Sequence, residues 1–272
     1  MFTQEGNDNM KYTDIIVEKK GAVAWITLNK PHVKNALGRQ TFIDILAALD
    51  DFEKDSVVMV AVIKGAADTF CAGVDLKEHA KRVATGDPSL RTEFTALADR
   101  VFNGLENFPK VTIAMIKGVC MAGGFELAEV CDFIIADENC RVGDGHIRTG
   151  LVPNGGASMR MPRNIGMRKA KELLYTGDLI SGKEAERIGL INKAVPADKL
   201  EPTVEEFIAK LVDKPPLALQ AMKMLVNRGL GCSVEAGLQL EHQTVKVLEE
   251  TEDFKESIAA FGEKRKPVYK GR

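Results

Sequence analysis

The sequence has no apolar stretch approaching the ~18 residues that a membrane-spanning helix needs. Its opening, MFTQEGNDNM, is polar where a secretory signal would carry an apolar core. Nor is there an excess of positive charge. The 37 Lys and Arg set against 39 Asp and Glu leave a net charge of -2, which removes the global basic field expected of a nucleic-acid or anionic-membrane binder. An anionic ligand must therefore be held by a local cluster of Lys and Arg. The five cysteines (Cys71, Cys120, Cys131, Cys140 and Cys232) are odd in number and scattered, with no C-x-x-C. They read as buried or free thiols of a reducing compartment. These absences predict a cytoplasmic protein with neither nucleic acid nor membrane as a partner.

Several catalytic signatures are missing as well. The four histidines, His32, His79, His146 and His242, show no metal-ligand spacing, so no metal is expected. No G-x-S-x-G elbow and no G-x-G-x-x-G after a strand is present. Gly177-x-x-x-x-Gly182-Lys183 comes near a phosphate-binding loop, but Glu184 stands where the Mg²⁺-binding hydroxyl should be. Ser181-x-x-Glu184 reads better as a capping box opening a helix.

What is present is ordinary globular composition, with 45% apolar and 28% charged residues in a chain of 272. That length allows one large domain or a main domain with an appendage. Asp14–Val17 and Ala22–Leu28 are β-rich around Lys19-Lys20-Gly21 and predict a hairpin. Phe42, Ile45, Leu46, Leu49 and Phe52 fall at helical spacing. Val57–Ile63, Val111–Ile116 and Phe133–Ala136 read as buried strands, with a polar helix over Ser89–Leu105. Strands alternating with helices argue for α/β with parallel pairing. After Pro196 the pattern turns helical, over Leu200–Val212, Leu217–Arg228, Ser233–Leu248 and Asp253–Glu263.

Three loops end predicted strands: Asn29–Leu37, Gly65–Leu76 and Lys117–Gly124. Ligands of open α/β folds collect at such ends. The third runs into Ala122-Gly123-Gly124-Phe125-Glu126-Leu127-Ala128. Two glycines open a helix there, so unpaired N–H donors and the positive end of the dipole become approachable. That suits a developing oxyanion. Glu126 follows half a turn later, within an apolar run that favours partial burial and a shifted pKa. Glu129, one turn further on, reads as structural. The Ala72-Gly73-Val74 turn of the second loop would expose the Val74 N–H as a second donor beside that of Gly123.

The stretches ITLNKPHVKNAL, FCAGVDLKE, GVCMAGGFELAEVCDF, TGLVPNGG, TGDLISGKEAERIGLIN and AFGEKRKPVYK occur in collinear order from about residue 12 to 270. Together they resemble the crotonase, or enoyl-CoA hydratase/isomerase, superfamily. The resemblance implies an α/β fold built as a spiral of ββα units, followed by a helical trimerisation region. On this reading residues 1–197 form the core with the acyl-CoA site and 198–272 the helical oligomerisation region. It implies an acyl-CoA thioester substrate, coenzyme A entering only as part of that substrate, and a homotrimer or dimer of trimers. The N–H groups of Val74 and Gly123 would form the oxyanion hole. Lys34, Lys77 and, from a neighbouring subunit, Lys264 match CoA-contacting positions; Ala36, Leu76 and Phe261 would flank the adenine, with Ala72 and Asp75 in the same loop.

One position departs from the family pattern. Hydratases of this superfamily use two glutamates. The first matches Glu126, but His146 takes the place of the second. In an extended segment Asp144 and His146 would point the same way, so Asp144 would orient the imidazole for proton transfer near neutrality. The expected activity is hydration of a 2-enoyl-CoA. With a single glutamate, an isomerase, a decarboxylase, a thioester hydrolase or a non-catalytic acyl-CoA-binding protein stay open as alternatives. The stretch from His79 to Arg100 reads either as acyl-pocket lining or as a mobile surface loop.

Overall fold

The computed structural model describes residues 12–272. The chain opens with an antiparallel hairpin, β1 (Ile15–Lys20) and β2 (Val23–Leu28), and helix α1 (Arg39–Lys54). Three turns of a repeating unit follow. The first is β3 (Val60–Gly65), β4 (Thr69–Cys71), α2 (Leu76–Ala84) and α3 (Pro88–Glu106). The second is β5 (Val111–Ile116), β6 (Val119–Met121) and α4 (Gly123–Glu129). The third is β7 (Phe133–Asp137), β8 (Arg141–Gly143), α5 (Ala157–Ile165) and α6 (Met167–Thr176). After β9 (Ile180–Ser181), α7 (Gly182–Arg187) and β10 (Lys193–Val195) come α8 (Leu200–Ala209), α9 (Pro216–Gly229), α10 (Val234–Glu249) and α11 (Glu252–Glu263).

Each unit gives its longer strand to one sheet and its short strand to another. The large sheet has the order β1-β2-β3-β5-β7-β10 and the small one β4-β6-β8-β9. From β2 to β10 the large sheet is parallel. This is the expected spiral of ββα units. The buried runs of β3 and β5 are central strands with both faces covered, as near-continuous apolar sequence requires. Side chains alternate between two cores. Ala61, Ile63, Ala114 and Ile116 face the cluster shared with α1, α3 and α4. Val60, Val62, Ile113 and Met115 face a second cluster completed by Leu200, Val204 and Ile208 of α8. Each fully buried Val or Ile here contributes about 1.5–3 kcal/mol relative to exposure.

The Ser181 hydroxyl accepts from the Glu184 N–H and Gly177 ends α6 in the left-handed region. The near-match to a phosphate loop is thus a helix stop followed by a helix cap. Among the described residues, no helix is long and apolar enough to cross a membrane. Cys71, Cys120, Cys131 and Cys140 are buried thiols and Cys232 is exposed.

Candidate active site

The small sheet sets the site, because β4, β6 and β8 deliver three loops to one end. Gly124 lets the start of α4 lie flush on the end of β4. A Cβ there would stand 2.4 Å from the Cys71 carbonyl oxygen and 2.6 Å from its Cβ. The preceding residue, Ala122, holds φ 50° and ψ -129°, a conformation that costs a non-glycine residue about 1–3 kcal/mol. Its N–H is fixed by the Asp144 carbonyl at 2.5 Å. This tight junction brings Gly123 against Val74, so that a Cβ on Gly123 would lie 3.5 Å from the Val74 nitrogen. The Val74 turn is pinned in turn by Leu37, whose N–H donates to the Gly73 carbonyl at 2.8 Å and whose carbonyl accepts from the Asp75 N–H at 2.9 Å. The N–H groups of Val74 and Gly123 have no acceptor among the described residues. They are two neighbouring backbone donors.

Glu126 lies one turn into α4 and is only 2% exposed. Its Oε1 accepts from the Gly155 N–H at 2.6 Å and the Ala157 N–H at 3.3 Å. Burial pushes its pKa above the usual carboxylate range, while His146 and the two backbone donors oppose that rise. Its Oε2 faces His146 Nε2 across 3.9 Å. On the far side of the ring, Nδ1 meets Asp144 Oδ2 at 2.6 Å, and Asp144 is 1% exposed. Burial draws the imidazolium pKa down, but the Asp144 bond and the charges of Asp144 and Glu126 outweigh it, so the net shift is upward.

Asp144 and His146 therefore meet as expected, by a different route. The segment is not extended. Gly145 takes φ 68° and His146 opens a short 3-10 turn. The His146 N–H closes an Asx-turn on Asp144 Oδ1 at 3.1 Å, so a turn brings the two side chains together.

The backbone donors of Gly155 and Ala157 were not foreseen. Asn154-Gly155-Gly156 carried a signal for them, since adjacent glycines mark close backbone approach. A Cβ at Gly155 would meet Phe102 Cε2 at 2.6 Å and Glu126 Oε2 at 2.8 Å. Glu129 is buried, and neither of its carboxylate oxygens has a hydrogen-bond partner among the described residues. Burial drives its pKa well up. It lines a cavity of about 960 Å³ that also touches Gly155 and Arg160. Val74, Gly123 and His146 do not line that cavity, so it lies behind Glu126 and away from the two free donors.

Most positions matched to coenzyme A fall on two stitched loops, and the other two, Phe261 and Lys264, at the end of α11. Lys34 is exposed and holds φ 54°; its carbonyl accepts from the Ala72 N–H at 3.0 Å. Ala36 is buried and Leu76 is exposed, as is Lys77 in the first turn of α2. Asp75 uses its carboxylate to cap that helix, accepting from the Lys77 and Glu78 N–H groups. Phe261 is 87% exposed on α11 and Lys264 is its left-handed C-cap. The stretch from His79 to Arg100 lies in two helices, α2 and α3, capped by Asp75 and Asp87, which corrects the mobile-loop reading.

Among the described residues, Glu126, Asp144 and His146 are the one group whose possible metal-ligand atoms lie within 4.8 Å of one another. Since Nδ1 is engaged by Asp144, only Nε2 and Glu126 Oε2 are left as direct donors. A zinc site takes three or four protein ligands, so the set is short of one. The arrangement suits proton transfer, with a buried carboxylate, an oriented imidazole and paired N–H donors alongside.

By fold, the chain is similar to an enoyl-CoA hydratase from Bacillus anthracis of known structure. The TM-score is 0.90 with 32% identity, covering 96% of this chain and 100% of that one. By sequence, the enoyl-CoA hydratase/isomerase family profile matches residues 18–272. Relatives include a short-chain-enoyl-CoA hydratase from Clostridium acetobutylicum, 36% identical over 258 residues, which span 94% of this chain and 97% of that protein. A crotonyl-CoA hydratase from Syntrophomonas wolfei is also 36% identical over 258 residues, spanning 94% of this chain and 98% of that protein. The chain belongs to the enoyl-CoA hydratase/isomerase family and is an enzyme of that family.

Proposed function

We propose that the protein reversibly hydrates a 2-enoyl-CoA to a 3-hydroxyacyl-CoA. The observation that carries this reading is the buried 3.9 Å gap between Glu126 Oε2 and His146 Nε2. A water placed about 2.8 Å from both atoms would bridge the gap at an angle of about 90°. The thioester oxygen accepts from the Val74 and Gly123 N–H groups, which hold the enolate that develops as water adds. Glu126 takes a proton from that water while its oxygen bonds to C3. The electron pair of the double bond moves through C2 onto the thioester oxygen. As the enolate collapses, C2 takes a proton from the His146 imidazolium, which Asp144 keeps oriented and charged. Protons passed to solvent from Glu126 and back to His146 reset the site. Side chains supply all the acid/base chemistry, and coenzyme A enters only as part of the substrate.

Lys34, Ala36, Ala72, Asp75, Leu76 and Lys77 hold the CoA moiety in this reading. Phe261 and Lys264 reach it from a neighbouring subunit of a trimer or dimer of trimers. Exposed Met222, Val226, Leu230, Phe254, Ile258 and Phe261 on the C-terminal helices support such an assembly, since a monomer rarely leaves so much apolar surface bare. The buried free thiols support a cytoplasmic location.

The test is an acyl-CoA panel read by mass spectrometry, with Glu126→Gln beside the wild type. Hydration adds the mass of one water to 2-enoyl-CoA, and Glu126→Gln abolishes that gain while thioester binding survives. An isobaric product from 3-enoyl-CoA with no water gain would overturn the reading, as would wild-type turnover in Glu126→Gln.

A further inference from the structure

Arg160 has no part in the chemistry above, yet it is built against the same glycine pair that holds Glu126. Its Nε and Nη2 grip both oxygens of Glu106 at 2.8 and 2.7 Å, a bidentate fork that fixes the guanidinium plane. Its remaining arm, Nη1, donates to the Gly155 carbonyl at 2.7 Å. On the other side of the same residue, the Gly155 N–H donates to Glu126 at 2.6 Å. Both glycines are needed for this sandwich. A Cβ at Gly155 would strike Glu126, and one at Gly156 would stand 1.8 Å from Arg160 Nη1. Gly156 itself holds φ 112° and is anchored through its carbonyl, which accepts from the Met159 and Arg160 N–H groups at 2.8 and 2.9 Å; the Gly155 carbonyl is held by Arg160. Glu106 ends α3, and its carbonyl accepts from Asn227 Nδ2 of α9 at 2.8 Å. A continuous chain of hydrogen bonds thus runs from the C-terminal helices to Glu126.

We infer that Arg160, anchored by Glu106, is a positioning residue that holds the Gly155 backbone, and through it the Glu126 carboxylate, in register with His146. The inference rests on the reading of Glu126 as the acid/base group. A flexible Gly-Gly segment left to itself samples many orientations. Fixing the Gly155 carbonyl from behind removes that freedom and aims its N–H at Oε1. A misplacement on the order of 1 Å at such a group costs about 100-fold in rate. The guanidinium suits the task better than an ammonium, because three separate donors reach two partners in fixed geometry.

The test compares Arg160→Met, Arg160→Lys, Glu106→Leu and Glu106→Gln in kcat and KM for crotonyl-CoA across pH, with Glu126→Gln as the control. Arg160→Met is expected to lose about 10- to 100-fold in kcat, with KM within about twofold of wild type. Its acidic limb moves to higher pH because Glu126 loses an N–H donor that favours its charged form. Arg160→Lys restores the charge but only part of the rate. The Glu106 variants decide between geometry and bulk electrostatics. Removing a negative charge near Glu126 would by itself move the acidic limb down; loosening the Gly155 backbone moves it up. Glu106→Leu is expected to move it up, and Glu106→Gln, which folds with less disturbance, to move it the same way by less. An acidic limb that moves down in the Glu106 variants overturns the inference, as does Arg160→Met with the wild-type pH profile. If Glu126→Gln keeps full activity, it is the underlying acid/base assignment that fails.

Discussion

Replacing Gly155 by alanine adds one methyl group at the point where the backbone meets the candidate base. The added Cβ would lie 2.8 Å from Glu126 Oε2 and 2.6 Å from Phe102 Cε2, against 3.4 Å where ordinary contact begins. The shortfalls are about 0.6 and 0.8 Å, and productive geometry tolerates only about 0.5 Å. Phe102 belongs to the main core and packs edge-on against Phe42 at 6.1 Å between ring centroids, so its ring has little room to withdraw. The carboxylate must therefore give way, which strains the 2.6 Å bond from the Gly155 N–H and changes its distance to His146. Overpacking is expected to cost about 1–3 kcal/mol of folding stability, read as a lower melting temperature. The displacement is expected to cost about 30- to 100-fold in kcat with KM for the thioester little changed, since the candidate CoA loops lie on β4, α2 and the segment before α1. Steady-state kinetics on crotonyl-CoA alongside a thermal melt measure both. A variant that melts earlier as expected but turns over within about twofold of wild type would show that Gly155 packs the core without placing Glu126.

Two further perturbations address the charges around the site. Asp144→Asn removes the hydrogen bond and charge of Asp144 that raise the His146 pKa, leaving burial, the largest single influence, opposed only by the charge of Glu126. The activity loss on the alkaline side then sets in at lower pH, and kcat falls by about 100-fold or more. An NMR titration of the imidazole and a pH–rate profile check both, and an unmoved alkaline limb would contradict the proton-donor role. Glu129→Gln acts on stability. A folded pKa raised well above the ordinary 4.5 by burial means the folded state binds the extra proton. Wild-type stability from this group is therefore full below about pH 4.5 and declines as pH rises through the raised value, by up to about 1.4 kcal/mol per pH unit. The amide has no such proton to lose. The melting temperature of Glu129→Gln should match wild type near pH 4.5 and exceed it increasingly towards pH 8. Equal melting at both ends would mean Glu129 ionises without penalty.

The helices and the large sheet were legible because their period is long enough to read. Ser233 and Thr251 cap α10 and α11, and the four C-terminal helices fall within three residues of their expected bounds. The small sheet was not legible. Strands of two or three residues, such as β4, β6, β8 and β9, carry no alternation to detect, yet three of them aim the loops that carry Val74, Gly123 and His146. The same limit hid α2. Its cap, Asp75-Leu76-Lys77-Glu78, is a helix-start pattern in the sequence, but loop residues on either side masked it. That Glu126 would be buried could be argued from its neighbours. The donors holding it lie 29 and 31 residues away, and no local pattern announces a contact of that range. The pairing of His146 with Asp144 was anticipated in outcome and missed in mechanism, because Gly145 at φ 68° turns what alternation would have made a strand.

The exchange of a second glutamate for His146 becomes intelligible once the charges are followed. In the two-glutamate arrangement implied by family resemblance, one carboxyl is ionised to accept a proton and the other is protonated to give one, so the pair carries one negative charge and one mobile proton. Here Glu126 is the carboxylate, and the donor is an imidazolium hydrogen-bonded to the Asp144 carboxylate at 2.6 Å. The three groups again sum to one negative charge with one mobile proton. A buried carboxyl keeps its proton only as long as burial outweighs nearby cations, whereas an imidazolium held by a buried aspartate keeps its proton by attraction. A histidine at position 146 without Asp144 would be drawn towards neutrality by burial, with only the charge of Glu126 to oppose it. Asp144 without histidine would add a second negative charge beside Glu126. The one departure from the family pattern therefore works as a pair with Asp144, and it makes the donor more dependent on pH near neutrality than a glutamic acid would be.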